Sequence, residues 1–359
     1  MLSVLQHEEI ESRRDLLSFN AEPADFPRIT DPERSILFGS NQPYQDLYLL
    51  LTGSETYIKI IYQLSMLLSL SYALLEIFDG KTELYCNWRS GKHVNKKALA
   101  IKCDLRNEEA INSLNLPSES VIFHLAANPN VKESMTRITE HYGNDVTATL
   151  NALELARRID SEKIVFASTS AVYGDAERPT PENAQLKPIS NYGLFKSIGE
   201  EMVNFYSENY GIKSCILRFA NVVGGRASHG IIPDFIRKLE KERSRLEILG
   251  DGRQRKSYIY IKDVIKALLL AAQKRGLAET FNVGNVDTVS VEEIAGIIEG
   301  AMSLKPKHYY VDKYNGRGWP GDVKEMLLDI RKISKLGWKS SMNSSDAILK
   351  ATEDLLTKI

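Results

Sequence analysis

Lys163-Ile164-Val165-Phe166-Ala167-Ser168-Thr169-Ser170-Ala171-Val172-Tyr173-Gly174 begins as an apolar run and ends in adjacent hydroxyls. Residues 163–167 are short, apolar and bounded by a turn signal at Gly174, which reads as a buried strand. Runs of the same kind recur at 47–52, 73–78, 98–102, 121–125 and 214–219. Longer amphipathic segments at 135–159 and 193–210 separate the later ones. In the first of these, Ile138, His141, Tyr142, Val146, Thr149, Leu150 and Leu153 fall on one helical side. Continuous apolar strands alternating with helices predict an α/β fold, a doubly wound parallel sheet covered on both faces. In such sheets the chemistry gathers at the carboxyl ends of the strands. That places the 168–170 hydroxyls on the functional edge.

Working outward, the pattern loosens after Gly224. Helices are expected at 231–239, 263–273, 291–302 and 345–357, with strands at 246–249 and 280–283. Residues 1–45 are polar and broken by Pro23, Pro27, Pro32 and Pro43. The first 20 residues have no apolar core of a signal peptide, so a cytoplasmic location is expected. The stretch 57–78 approaches membrane-spanning length, but Lys59, Gln63 and Glu76 interrupt it. A buried helix followed by a buried strand fits it better.

The chain has 359 residues, 43% hydrophobic and 26% charged, with a formal net charge of -1. Without a basic stripe, nucleic acid is not an expected partner. The three cysteines are scattered, and the six histidines show no ligand pairing. No disulfide framework and no metal site are expected.

Tyr192 and Lys196 lie four apart near a helix start, on one face. A phenol with a pKa near about 10 is a weak base at neutral pH. A neighbouring ammonium lowers that pKa, and a tuned tyrosine can take and return a hydroxyl proton. A Tyr and a Lys at this spacing recur by chance in exposed helices. The hydroxyl-bearing strand end about twenty residues upstream is what gives the pair meaning.

His124-Leu125-Ala126-Ala127, Asn191-Tyr192-Gly193-Leu194-Phe195-Lys196-Ser197 and Arg218-Phe219-Ala220-Asn221-Val222-Val223-Gly224 together resemble segments of the extended short-chain dehydrogenase/reductase family. The resemblance is to its nucleotide-sugar 4-epimerases. It extends to Gly250-Asp251-Gly252-Arg253-Gln254-Arg255-Lys256 and to Arg317-Gly318-Trp319-Pro320-Gly321-Asp322-Val323. It implies a Rossmann-like NAD-binding domain from 46–223 plus about 255–284. A smaller C-terminal substrate-binding domain would comprise 224–254 plus 285–359, after an N-terminal extension at 1–45. Thr169, Tyr192 and Lys196 become the catalytic candidates. Cofactor contacts are implied at Gly53, Asp79, Asp104 and Leu105, and at Ala126, Ala127, Tyr192, Lys196 and Phe219. Substrate contacts are implied at Asn128 and Asn221, and at Arg255, Lys256, Arg317 and Asp322. An arginine suits bidentate contact with a diphosphate.

The resemblance also implies the reaction. Related dehydratases carry Asp-Glu after the catalytic threonine, and here Ser170-Ala171 follow Thr169. Epimerisation through a transient 4-keto sugar is therefore expected, first between UDP-glucose and UDP-galactose. A UDP-uronate or a UDP-N-acetylhexosamine is the alternative substrate. A homodimer through the helices at 135–159 and 191–210 is implied as well.

One segment departs from the family pattern. Where a glycine-rich loop should follow the first strand, the chain has Thr52-Gly53-Ser54-Glu55-Thr56-Tyr57-Ile58-Lys59. Thr56 and Lys59 take the places of glycines that admit the pyrophosphate and the helix, and Glu55 opposes an anion. Residues 81–88 are also foreign to the pattern. Two readings stand: an enzyme that holds NAD through an altered loop, or a cofactor-impaired, non-catalytic nucleotide-binding relative.

Overall fold

Seven parallel strands form the central sheet of a computed structural model. They are β1 (Ile58–Tyr62), β2 (Glu83–Cys86), β3 (Leu99–Lys102), β4 (Val121–His124), β5 (Lys163–Thr169), β6 (Lys213–Phe219) and β7 (Ala278–Val283). Their order is β3-β2-β1-β4-β5-β6-β7, so the chain runs outward from β1 to one edge and returns to build the other. The doubly wound reading holds. The structure describes residues 58–62, 83–86 and 99–357, apart from 115, 117, 119, 225, 226, 228 and 274–277. The strands expected at 47–52 and 73–78, the 1–45 extension, Gly53 and Asp79 lie outside these residues.

The slot between β2 and β4 holds Ile58–Tyr62, in register with both neighbours. This corrects the reading of that stretch. Lys59 lies within a strand, opposite Glu83 and Ile122, rather than at the start of a helix.

The helices that matter for the site are α1 (Ala148–Arg158), α2 (Asn191–Tyr210), α3 (Ile231–Lys241), α4 (Ile261–Gln273), α5 (Val291–Ala301) and α6 (Ser344–Leu356). Side chains alternate across β5. Ile164 and Phe166 join Ile122 and Ile216 in a core with Leu153, Ala156 and Val203 from α1 and α2. Lys163 faces the other way and donates to the Ala271 carbonyl of α4 at 2.9 Å. Each large aliphatic side chain in that core contributes roughly 1.5–3 kcal/mol by leaving water.

Two glycines set how closely α2 approaches the sheet. A Cβ on Gly199 would stand 2.7 Å from the Phe166 ring, and one on Gly193 would stand 2.5 Å from the Ala171 carbonyl oxygen. The helix therefore rests directly on the strand and on the turn after it. Ser190 caps α2, its hydroxyl accepting the Gly193 N–H at 3.1 Å, a contribution of about 1 kcal/mol. Gly211, at φ 72°, ends it.

The helix expected at 135–159 is not continuous. It divides into a short helix at Ile138–Tyr142, a π-helical turn at Gly143–Thr147, and α1. The single apolar stripe divides with it. His141, Val146, Thr149 and Leu153 are buried, while Ile138, Tyr142 and Leu150 are exposed. Beyond the sheet, small strands pair among themselves. Arg245–Leu249 runs parallel to Lys307–Val311, and Arg255–Lys256 lies between Val289–Ser290 and Glu325–Met326. Asn221–Val223 pairs with Tyr258–Tyr260.

Candidate active site

The loop after β5 and the first turn of α2 meet at the carboxyl edge of the sheet. Thr169 is the last residue of β5, and its hydroxyl accepts the Ala171 N–H at 3.2 Å. The same hydroxyl is hydrogen-bonded to the Tyr192 side chain. Tyr192 is itself anchored through its backbone, whose N–H donates to Ser134 Oγ at 3.1 Å. Asn191 Nδ2 reaches the Ser134 carbonyl at 3.0 Å. Lys196, one turn on, is buried and donates to the Ala167 carbonyl at 2.7 Å. The structure thus brings Thr169, Tyr192 and Lys196 together.

Electrostatics correct one expectation. Tyr192 is not shifted toward the phenolate in this state. Burial raises its pKa, the Asp145 charge raises it further, and only the Thr169 hydrogen bond opposes them. The Lys196 amine is turned to the Ala167 carbonyl and lies 4.6 Å from the Phe166 ring centre. Its own pKa is pushed down to about 8, by burial first.

His124, at the end of β4, belongs to the same buried group. Its Nε2 lies 2.8 Å from Thr149 Oγ1, and that hydroxyl donates to the Asp145 carbonyl. A hydroxyl has one proton to give, so Nε2 must carry the imidazole proton. Burial and then the Lys196 charge push His124 down to about 3. An unfolded histidine takes up a proton below about 6.5, and the folded one does so only near 3. The unfolded state then binds more protons, so stability falls as the pH falls through that window. The share lost by pH 5 is about 2 kcal/mol. Urea unfolding at pH 7 and pH 5 should show that difference shrink by this amount in His124→Asn.

The phosphate-side candidates sort by strand alternation. Lys256 Nζ meets Asp322 Oδ1 at 2.5 Å and lies 5.5 Å from the Trp319 ring centre. Arg317 donates to the Asp322 carbonyl and pairs with Asp175 at 2.7 Å. Arg255 points away. It is held by Glu293 at 3.0 Å and by Thr288, apart from the Lys256–Asp322 pair. Asn221 opens the strand just past β6, and Phe219 ends β6. The sequence reading missed the Trp319 indole N–H, which is buried with no hydrogen-bond partner among the described residues.

On the cofactor side, Ala126 and Ala127 follow β4 and are buried. Asp104 is gripped by Arg106 at 2.6 Å, beside an open groove lined by Asn107, Glu108 and Glu109. Leu105 is in the core, and its carbonyl is taken by Asn151. Asn128 shapes its own loop, its N–H donating to Asp145 Oδ1 and its Oδ1 accepting the Asn130 N–H. Asp145 and His141 were also missed. Their signal was Gly143 inside a helical window, where a local break is to be suspected.

The nicotinamide side of an NAD site fits these residues. A hydroxyl pair and a buried amine converge at the edge of β5 where a doubly wound sheet holds its ligand. Among the described residues, no helix is long and apolar enough to cross a membrane.

Comparisons with known proteins agree with the fold. Residues 72–284 match the family described as the NAD dependent epimerase/dehydratase family. The match begins after the loop at 52–59. A putative UDP-glucose 4-epimerase of Methanocaldococcus jannaschii is 36% identical over 262 residues, 71% of this chain and 83% of that protein. A UDP-glucuronate 4-epimerase of Thermodesulfobacterium geofontis is 29% identical over 68% of this chain and 75% of its own. A crystal structure of a UDP-galactose 4-epimerase superposes with a TM-score of 0.75 at 37% identity, covering 85% of this chain and 100% of that one. With the parallel sheet, the Tyr192 to Lys196 helix and the strand-end hydroxyl in place, the chain belongs to the NAD dependent epimerase/dehydratase family.

Proposed function

We propose that this chain is an NAD-dependent UDP-sugar 4-epimerase, interconverting UDP-glucose and UDP-galactose. The observation that carries this reading is the meeting of Tyr192, Thr169 and Lys196 at the carboxyl edge of β5. Similarity to a putative UDP-glucose 4-epimerase supports the choice of sugar.

In this reading Tyr192 takes the proton of the sugar 4-hydroxyl and later returns it. Thr169 holds the reacting oxygen through the hydroxyl now shared with Tyr192. Lys196 supplies the positive charge that a phenolate needs beside it. NAD, when bound, supplies a reversible hydride acceptor, and Ala126, Ala127, Tyr192 and Lys196 would line its nicotinamide end. Lys256, Arg317 and the Trp319 N–H offer charge and hydrogen bonds to a diphosphate, with Asn221 alongside. The smaller strands and α3, α5 and α6 would form the substrate lobe. Exposed Tyr142, Leu150, Leu194 and Phe205 lie on the helix pair proposed to form a homodimer.

A second reading is a nucleotide-binding relative without turnover. The family match starting only at residue 72 favours it. Purified protein, denatured to release bound NAD and separately titrated with NAD, decides between them when combined with a turnover panel. UDP-galactose, UDP-glucuronate and UDP-N-acetylglucosamine form that panel. Fastest turnover of UDP-galactose is expected. Preference for another sugar corrects the substrate, and no NAD with no turnover removes the enzyme reading.

A further inference from the structure

A buried ammonium needs a buried negative charge, or it gives up its proton. Among the described residues, Lys196 has no carboxylate as hydrogen-bond partner. Its Nζ meets a carbonyl and an aromatic face.

Nearby charges can be sorted by what they already hold. On α2, Glu200 is gripped by Arg218 of β6, with Nε contacts of 3.0 and 3.1 Å and an Nη2 contact of 2.6 Å. It also accepts the Ser168 hydroxyl, so its charge is neutralised. Glu133 and Glu140, on the short helices before the π-turn, share Arg137. His124 on β4 is kept neutral by burial.

Asp145 pairs with no lysine or arginine among the described residues. It sits in the π-turn that packs on α2, with no exposed side-chain surface. Oδ1 accepts the Asn128 N–H at 3.1 Å. Oδ2 has no hydrogen-bond partner among the described residues, and His141 Nδ1 stands 3.6 Å away. Among the described residues around them, Lys196 and Asp145 are the complementary charges left over when these pairs are matched.

We propose that Asp145 is the counter-ion that keeps Lys196 an ammonium beside Tyr192, a positioning residue that acts through Lys196. The Asn128 N–H holds the carboxylate in place. The Asp145 charge raises Lys196 against its burial, ahead of Glu200, and opposes early ionisation of Tyr192. A π-turn, with its extra residue, is what turns this carboxylate inward.

The test is a carbon-13 NMR titration of the protein without added ligand, with lysine and aspartate labelled and Lys196→Arg used for assignment. In the wild type, the Asp145 carboxyl carbon should show a step at the Lys196 midpoint, near pH 8. In Asp145→Asn the Lys196 midpoint should fall by about one unit or more. His141→Gln keeps the carboxylate and should leave the midpoint in place. A flat Asp145 carbon through this range overturns the proposal even where Asp145→Asn fails to fold, and so does an unchanged midpoint in that variant.

The kinetic consequence rests on the epimerase reading. The basic limb of kcat/KM should move down with the midpoint, leaving Asp145→Asn about fivefold slower at pH 8 and near wild type at pH 6. A merely structural role would lower the rate at both pH values. Absence of turnover in the wild type would fault the epimerase reading alone, since the titration needs no substrate.

Discussion

Tyr192→Phe is expected to slow UDP-galactose turnover by about 10²–10⁴-fold, the range for loss of a positioned acid/base. Its fold should survive. The phenol ring remains to fill the buried site, the Ser190 cap is untouched, and the backbone N–H still reaches Ser134. Only the hydroxyl shared with Thr169 is lost. Coupled assays of both proteins at saturating substrate measure the ratio, and urea unfolding checks that the variant is native. Equal rates would exclude Tyr192 as the proton carrier.

Arg218→Met should cost about 3–5 kcal/mol of stability, the range for breaking a buried pair from one side. Arg218 and Glu200 are almost fully buried, with side-chain exposures of 8% and 2%. Among the described residues, removing the guanidinium leaves the carboxylate with only the Ser168 hydroxyl. It also removes the bonds that Arg218 donates to the Tyr173 hydroxyl and the Glu182 carbonyl at 2.7 and 2.8 Å, leaving Tyr173 its own bond to Asn282. Against a typical total of roughly 5–15 kcal/mol, this is a large share. Adding Glu200→Gln should recover much of the loss, because no bare charge then remains. A double-mutant cycle by urea unfolding measures the coupling. Simple additivity would mean that the two charges do not depend on each other.

Much of this architecture is legible in the chain. β4, β5 and β6 each carry an apolar run at their centre, because both of their faces are covered, and such runs announce themselves. Thr169, Tyr192 and Lys196 could be found because a strand end and a helical spacing of four are local signals. What was not legible depends on phase and parity. Arg255 and Lys256 are neighbours of the same charge, and only the pleat of a two-residue strand sends one to Glu293 and the other to Asp322. Asp145 is a carboxylate in a helical window and off its apolar stripe, which ordinarily marks a solvated face. A local change of helical pitch buried it instead. The pKa of Tyr192 was misjudged for a related reason. Spacing predicts that an ammonium is near, but not that the ammonium is aimed elsewhere and that the phenol is dry.

The π-turn at Gly143–Thr147 also acts as a vernier between the two helices that it joins. Each residue of an α-helix advances the direction of its side chains by about 100°. One surplus residue therefore offsets everything before the turn from everything after it by nearly a third of a revolution. Ile138 and Tyr142 are exposed before that offset and Leu150 after it. A single-residue deletion at Gly143 would re-index the upstream helix, swinging its aromatic outer edge around and its histidine out of the interior. Length in this segment is thus part of the lateral surface as much as of the catalytic pocket.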